Sequence, residues 1–256
     1  MSSQAKPKRI VLKFGTGILT QLEANTLDHT QIERLSSEVA AAVRSGVECI
    51  IVTSGAVGAG LMTLGLSERP HDLAGIQACA AVGQSKLMHF YDEAFARHGL
   101  HVAQLLLTYG DLDSRTCYAN AGNTLKRLLS ERSVVPIINE NDSVAVEELR
   151  FGDNDRLSAQ VAILAQADLL LLLTSAEGLL DGGTVVPEVS NIDAVMELAQ
   201  PTKGKLSVGG MASKLQAVKV AVEAGIPTVI GSGRTPGVIE AVLAGRPVGT
   251  RFIPVR

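Results

Sequence analysis

Short, uninterrupted apolar runs alternate along this chain with longer stretches whose apolar residues recur at helical spacing. The runs are RIVLKF (residues 9–14), CIIVT (49–53), HVAQLLLT (101–108), SVVPIIN (133–139), ADLLLLLT (167–174) and IPTVIG (226–231). Between them fall Ile32, Leu35, Val39 and Val43, the stretch 72–98, the stretch 115–130, the set Leu157, Val161 and Leu164, and the set Leu215, Val218 and Val222. A strand covered on both faces needs apolar residues at every position, whereas a helix that buries one face needs them every third or fourth. The alternation predicts an α/β protein: a three-layer α/β/α sandwich with a mainly parallel central sheet.

Local features refine that expectation. Gly83 predicts a break in the helix over 72–98, and Pro136 predicts an irregular or edge strand because proline cannot donate to a ladder. Residues 182–190 read as a turn plus a short strand, 201–210 as a flexible loop, and GRPVGTRFIPV (245–255) as a closing edge strand. The chain has neither a linker-like segment nor an internal repeat. The reading is one domain over residues 1–256, with 1–8 as a flexible N-terminus.

Composition narrows the function classes. A chain of 256 residues can bury a substantial core without disulfides. Its 23 basic and 26 acidic residues give a net charge of -3, and the basic ones are scattered apart from Lys6 to Arg9, so a nucleic-acid partner has no electrostatic footprint. Cys49, Cys79 and Cys117 lie far apart without paired spacing, which argues against a zinc site or disulfide framework and for a reducing compartment. No apolar core follows the basic start, and ADLLLLLTSA is too short to span a bilayer. The expectation is a cytoplasmic protein without a membrane partner.

Three glycine-rich turns carry the first chemical signal. KFGTG places Lys13 at the end of the first strand, with Gly15, Thr16 and Gly17 following. SGAVGAG follows the second strand and opens a helix, and VGGMASK sets Lys214 near the start of another. Glycines let backbone N–H groups approach an anion closely, and a helix start offers free N–H groups. Each turn alone is equally well read as a plain strand-to-helix connection, and neither P-loop nor dinucleotide spacing is present. Two lysines beside such turns can neutralise charge on a phosphoryl group in transfer, provided they converge.

The second signal is INENDSVAVEELRFGDND (138–155), with six carboxylates, Glu140, Asp142, Glu147, Glu148, Asp153 and Asp155, and three asparagines, Asn139, Asn141 and Asn154. Its alternating middle predicts an exposed hairpin carrying Glu147 and Glu148. Its ends can bind a substrate amine and hold lysines in register, or Asp153 and Asn154 can simply cap the helix that follows.

KFGTGILT, VTSGAVGAG, the VGQ of AAVGQSKL, PIINENDSVAVEELRFGDND, and GGMASKLQA followed by AGIPTVIGSG together resemble the glutamate 5-kinases, a branch of the amino acid kinase family. The resemblance runs from about residue 9 to 253. It implies ATP-dependent phosphorylation of the γ-carboxylate of L-glutamate, the first step of proline biosynthesis, with Mg2+ arriving on the nucleotide and no protein-held metal. It implies that Lys13 and Lys214 contact phosphates and that Asp155 orients them. Ser54, Gly55, Ala56, Asn139, Asp142, Asp153 and Asn154 would form the glutamate site. Lys13, Gly15, Thr16, Gly17, Thr174, Ser175 and the run Val208, Gly209, Gly210, Met211, Ala212, Ser213 and Lys214 would form the nucleotide side. Feedback inhibition by proline and a homodimer or homotetramer are further implications.

The chain departs from the family pattern on the nucleotide side. Ser175 stands where aspartate is common, SAEGLLDGGTVVPE replaces a longer loop, and Val208 and Ser213 stand where threonine is frequent. The changed loop bears on adenine affinity or base selectivity, whereas Val208 and Ser213 are milder changes that a backbone-lined phosphate loop can tolerate. The C-terminal PUA domain of many relatives is not expected here. The alternatives are another amino acid kinase with a different carboxylate or carbamate acceptor, and a catalytically weak amino-acid-binding regulator; retention of Lys13, Lys214 and Asp155 weighs against the regulator.

Overall fold

The computed structural model describes residues 7–21, 26–145, 154–199 and 210–254. In chain order these form β1 (Arg9–Phe14), α1 (Thr16–Leu19), β2 (Thr20–Gln21), β3 (Thr26–Leu27), α2 (His29–Arg44), β4 (Glu48–Val52), α3 (Ala56–Thr63), α4 (Leu73–Ala96), β5 (His101–Leu107), α5 (Tyr109–Asp113) and α6 (Arg115–Ser130). They continue through β6 (Val134–Glu140), α7 (Asp155–Leu164), β7 (Leu169–Thr174), β8 (Leu180–Asp181), β9 (Thr184–Val185) and β10 (Glu188–Val189). A 3-10 helix (Asp193–Ala199), α8 (Met211–Glu223), β11 (Thr228–Ser232), α9 (Val238–Leu243) and β12 (Thr250–Phe252) complete the order.

Eight strands form one sheet in the order β10-β12-β11-β7-β1-β4-β6-β5. The six from β11 to β5 are mutually parallel; β12 runs antiparallel to β11, and β10 is parallel to β12. Successive strand residues face opposite sides, so each apolar run feeds two cores. Ile10, Leu12 and Phe14 of β1 join Ile51 and Leu171 in the core under α2 and α4. Val11 joins Ile50, Leu170 and Leu172 in the core under α7 and α8. The same alternation sends Lys13 to the α7 and α8 side, two residues beyond Val11.

Three local expectations are corrected. Gly83 does not break α4, which runs continuously through it. A Cβ at Gly83 would lie 1.7 Å from Ala56 O, and one at Gly60 would lie 1.8 Å from Cys79 O. The glycines are there because α3 and α4 cross in backbone contact. Pro136 sits in β6, an interior strand. Thr53 N donates to Ile138 O and Asn141 N donates to Leu107 O, and the pleat therefore turns the Pro136 nitrogen towards β4. Pairing with β4 is recorded from Ile137 onward, so the missing donor falls at the start of that ladder. Finally, β12 is not an edge, because β10 pairs outside it. The helix carrying Lys214 starts at Met211, with Gly210 as N-cap.

The expected hairpin around Glu147 and Glu148 and the loop over 201–209 lie outside the described residues. So do residues 1–6, and the backbone N–H groups of Lys8 and Arg9 donate to Asp168 Oδ2 at 2.7 and 2.8 Å. Among the described residues no helix is long and apolar enough to cross a membrane.

Candidate active site

From β1 the chain crosses to β4 on one side, and later to β7 on the other. A parallel sheet that reverses its winding in this way opens a crevice at the carboxyl ends of its strands. Lys13 is next to last in β1, Thr53 and Ser54 follow β4, Asn139 and Glu140 end β6, and Thr174 ends β7 with Ser175 after it.

Three charges meet on the α7 and α8 side of that crevice. Asp155 Oδ1 lies 2.5 Å from Lys13 Nζ, and Asp155 Oδ2 accepts from Lys214 Nζ at 2.9 Å. Asp155 is 0% exposed, Lys13 3% and Lys214 6%. Lys13 arrives by the strand alternation, Asp155 as the first residue of α7, and Lys214 from the first turn of α8. The α7 N-terminus favours the carboxylate through its unpaired N–H groups. Two ammonium groups meet at one buried carboxylate, an arrangement suited to holding them towards an anion.

The neighbouring side is built from amides. Asn154 Nδ2 donates to Thr53 O at 2.5 Å and to Asn139 Oδ1 at 2.6 Å. Asn139 Nδ2 donates in turn to Gln84 Oε1 at 2.7 Å. Asn154 occupies the N-cap position of α7, yet its side chain makes no capping bond. The local capping expectation is thus overridden by partners from β4 and β6. Asn154 and Asp155 are consecutive, one serving the amides and the other the lysines.

Beside the amides opens a cavity of about 320 Å³, lined among others by Ser54, Gly55, Ala56, Asn139, Asp142 and Asn154. All the residues expected to bind the acceptor are brought together here except Asp153, which lies outside the described residues. Gly55 has φ 103°, a left-handed conformation that a side chain resists, and it turns the chain from β4 into α3. On the nucleotide side, Gly15 N donates to Leu173 O at 3.1 Å. A Cβ at Gly15 would stand 3.3 Å from that oxygen and 3.8 Å from Lys13 Nζ, and one at Gly17 would stand 3.7 Å from Ser175 Oγ. The β1 turn therefore runs against the end of β7, where Thr174 O accepts from Gly233 N at 2.8 Å. Gly210 caps α8, and Met211, Ala212 and Ser213 form its first turn up to Lys214. Val208 and Gly209 lie outside the described residues.

Thr16, expected on the nucleotide side, instead lines this cavity, and Glu140, Glu68 and Arg69, which had no assigned place, line it too. Glu140 is only 4% exposed, so it is not an ordinary solvated acid. Gln84 was visible only as part of the VGQ motif. Among the described residues no group of three or more His, Cys, Asp or Glu side chains is placed to hold a metal ion.

Comparison with known proteins completes the picture. The model of the amino acid kinase family matches residues 8–232. A glutamate 5-kinase of Moorella thermoacetica is 48% identical over 258 residues, covering 98% of this chain and 68% of that protein. One from Thermus thermophilus is 46% identical over 252 residues, covering 96% of this chain and 67% of that protein. The chain thus spans about two thirds of the length of these relatives. Among solved structures, a UMP kinase from Bacillus anthracis superposes with a TM-score of 0.65 at 16% identity, covering 98% of this chain and 97% of that one. An N-acetylglutamate synthase from Neisseria gonorrhoeae, complexed with coenzyme A and L-arginine, superposes with a TM-score of 0.68 at 14% identity, covering 97% of this chain and 62% of that one. These two likenesses carry the α/β sandwich fold and no more. The family match over most of the length, with relatives near half identity, gives the assignment: the chain belongs to the amino acid kinase family.

Proposed function

We propose that this protein is a glutamate 5-kinase, transferring the γ-phosphoryl group of ATP to the γ-carboxylate of L-glutamate. Family membership supports kinase chemistry with a carboxyl acceptor, and the nearly half-identical relatives favour glutamate. The observation that carries the reading is the Lys13, Asp155 and Lys214 cluster abutting a cavity lined by Asn154 and Asp142.

The acceptor carboxylate is already ionised near neutral pH, so the protein needs no general base. Its work is to align two anions and to neutralise the charge that builds between them. Asp142 and Asn154 offer oxygens to the substrate ammonium, and the Ser54 to Ala56 turn walls the cavity. Lys13 and Lys214 aim their ammonium groups at the transferring phosphoryl and its leaving oxygens, held at a fixed separation by the two oxygens of Asp155. The new bond joins a γ-carboxylate oxygen to phosphorus as the bond to the ADP oxygen breaks, giving an acyl phosphate. Mg2+ carried by ATP would supply charge shielding of its phosphates. The same reading places the protein in proline biosynthesis, with proline as inhibitor and a homodimer or homotetramer as assembly.

The test is phosphoryl transfer with ATP and Mg2+ across L-glutamate, N-acetyl-L-glutamate, aspartate and carbamate, with hydroxylamine trapping the acyl phosphate. Glutamate-dependent hydroxamate is the expected result. Activity confined to another acceptor overturns the assignment.

A further inference from the structure

The VGQ motif sits in the middle of α4, and its glutamine is joined to the acceptor cavity by other side chains rather than lining it. Gln84 Oε1 accepts from Asn139 Nδ2, and Gln84 Nε2 donates to Gln104 Oε1 on β5 at 2.9 Å. With the Asn139 to Asn154 and Asn154 to Thr53 bonds, four side-chain amides form one chain that ends on a backbone carbonyl.

That chain has a fixed direction. Thr53 O can only accept, so Asn154 must present Nδ2 to it. The second hydrogen of the same nitrogen then goes to Asn139 Oδ1, which turns Asn139 Nδ2 towards Gln84 and requires an acceptor there. With both Asn154 amide hydrogens engaged, the atom that this residue offers the cavity is its oxygen, an acceptor matched to an ammonium donor. Reversing Asn139 would set two N–H groups against each other and disturb that presentation.

We infer that Gln84 is a positioning residue for the acceptor: its Oε1 holds the far end of Asn139 in the orientation that the Thr53 carbonyl sets at the other end of the chain, and so steadies the oxygen that Asn154 shows to the substrate amine. The inference rests on the proposed function for the identity of the acceptor, while the polarity argument belongs to the amides alone. Two further contacts from the same helix support it. Gln77 Nε2 donates to Ala145 O at 3.2 Å, and Tyr91 OH lies 2.8 Å from Thr53 Oγ1. Gln77, Gln84 and Tyr91 recur at intervals of seven residues and so share one face of α4. That face grips the segment after β6, the end of β6 and the end of β4 in turn.

The test compares three substitutions that differ in hydrogen-bond polarity. Gln84→Glu keeps an acceptor facing Asn139, Gln84→Leu removes it, and Gln84→Lys offers only donors. Steady-state kinetics should give an acceptor KM raised about tenfold in the leucine variant, from one unsatisfied buried amide. The lysine variant should be raised further, and the glutamate variant should recover most of the loss. In all three kcat should stay within about threefold of wild type. Thermal melts on the same proteins separate loss of fold from loss of orientation, because a structural role alone would move the melting temperature without ordering KM by polarity. The comparison uses whichever carboxylate the wild-type protein phosphorylates. Failure of L-glutamate therefore overturns the acceptor assignment, whereas a KM that is flat across the variants, or equal for glutamate and lysine, overturns the role of Gln84.

Discussion

On the β6 side of β1 the crevice presents the amides of Asn139 and Asn154, backed by Gln84 and joined oxygen to nitrogen, beside Glu140, Asp142, Glu68 and Arg69. On the α8 side it holds three buried ionisable groups, Lys13, Asp155 and Lys214. Neutral hydrogen bonds are individually worth about 1 kcal/mol and are strongly directional, so an amide lining selects by orientation. Buried ion pairs respond to total charge and are severely destabilised when one partner is lost. One side is thus suited to discriminating an amino acid, the other to holding a phosphoryl group. The two meet at consecutive residues, Asn154 and Asp155, at the start of α7, so a shift of α7 would disturb both.

Removing the central charge should have the largest effect. Asp155→Asn removes the buried carboxylate that both Lys13 and Lys214 engage, and urea unfolding should show a loss of about 3–5 kcal/mol. Asn139→Ala, on the amide side, should lose about 1–3 kcal/mol. Equal losses would erase the distinction between the sides. Next comes Lys214→Ala, which should lower turnover by about 10²–10³ while leaving the acceptor KM within about threefold, because its contact strengthens as charge develops. Unchanged turnover would remove Lys214 from the mechanism. On the other side, Asp142→Ala should raise the acceptor KM about tenfold or more with a smaller change in kcat. An unaltered dependence on acceptor concentration would contradict its contact with the amine.

The charged side was the more legible of the two in the sequence, and the reason is physical. Lys13 and Lys214 flank glycine turns at the ends of regular elements, and Asp155 begins an apolar helical face, so each carries a local mark. The side of the sheet that Lys13 occupies follows from strand alternation alone. Gln84 has no such mark, because its partner Asn139 is 55 positions away and nothing near it in the chain requires an acceptor. Arg69, in the connection after α3, is equally silent. Asn154 shows a local rule losing to tertiary partners: the N-cap preference was readable, while Thr53 and Asn139, which engage the side chain, are distant. Gly83 and Pro136 failed for a related reason, since a helix crossing and the start of a neighbouring ladder are properties of two segments at once. Helix α5 is a different case. Thr108 and Asp111 form a reciprocal capping box, and their spacing of three is visible in the chain itself.

The smallest expected effect concerns the support behind the amides. Tyr91 is fully buried and its hydroxyl meets Thr53 Oγ1, beneath the carbonyl that sets the direction of the amide chain. Burial pushes the Tyr91 phenol upward, partly opposed by the bond to Thr53. A phenol raised in the fold keeps its proton longer there than in the unfolded chain. Its contribution is therefore complete below about pH 10, the unfolded value, and is lost as pH rises beyond it. Tyr91→Phe should cost about 1 kcal/mol at neutral pH and raise the acceptor KM by about twofold at most. It should also flatten the fall in stability above about pH 10 relative to wild type. Cys49, pushed up to about 12 by burial, acts in the same sense in both proteins and cancels from the comparison. Parallel stability curves above pH 10 would show that Tyr91 ionisation does not contribute. A KM rise as large as that of Gln84→Leu would show that the amide chain is steered from Thr53 rather than from α4 as a whole, moving the control of acceptor orientation to the end of β4.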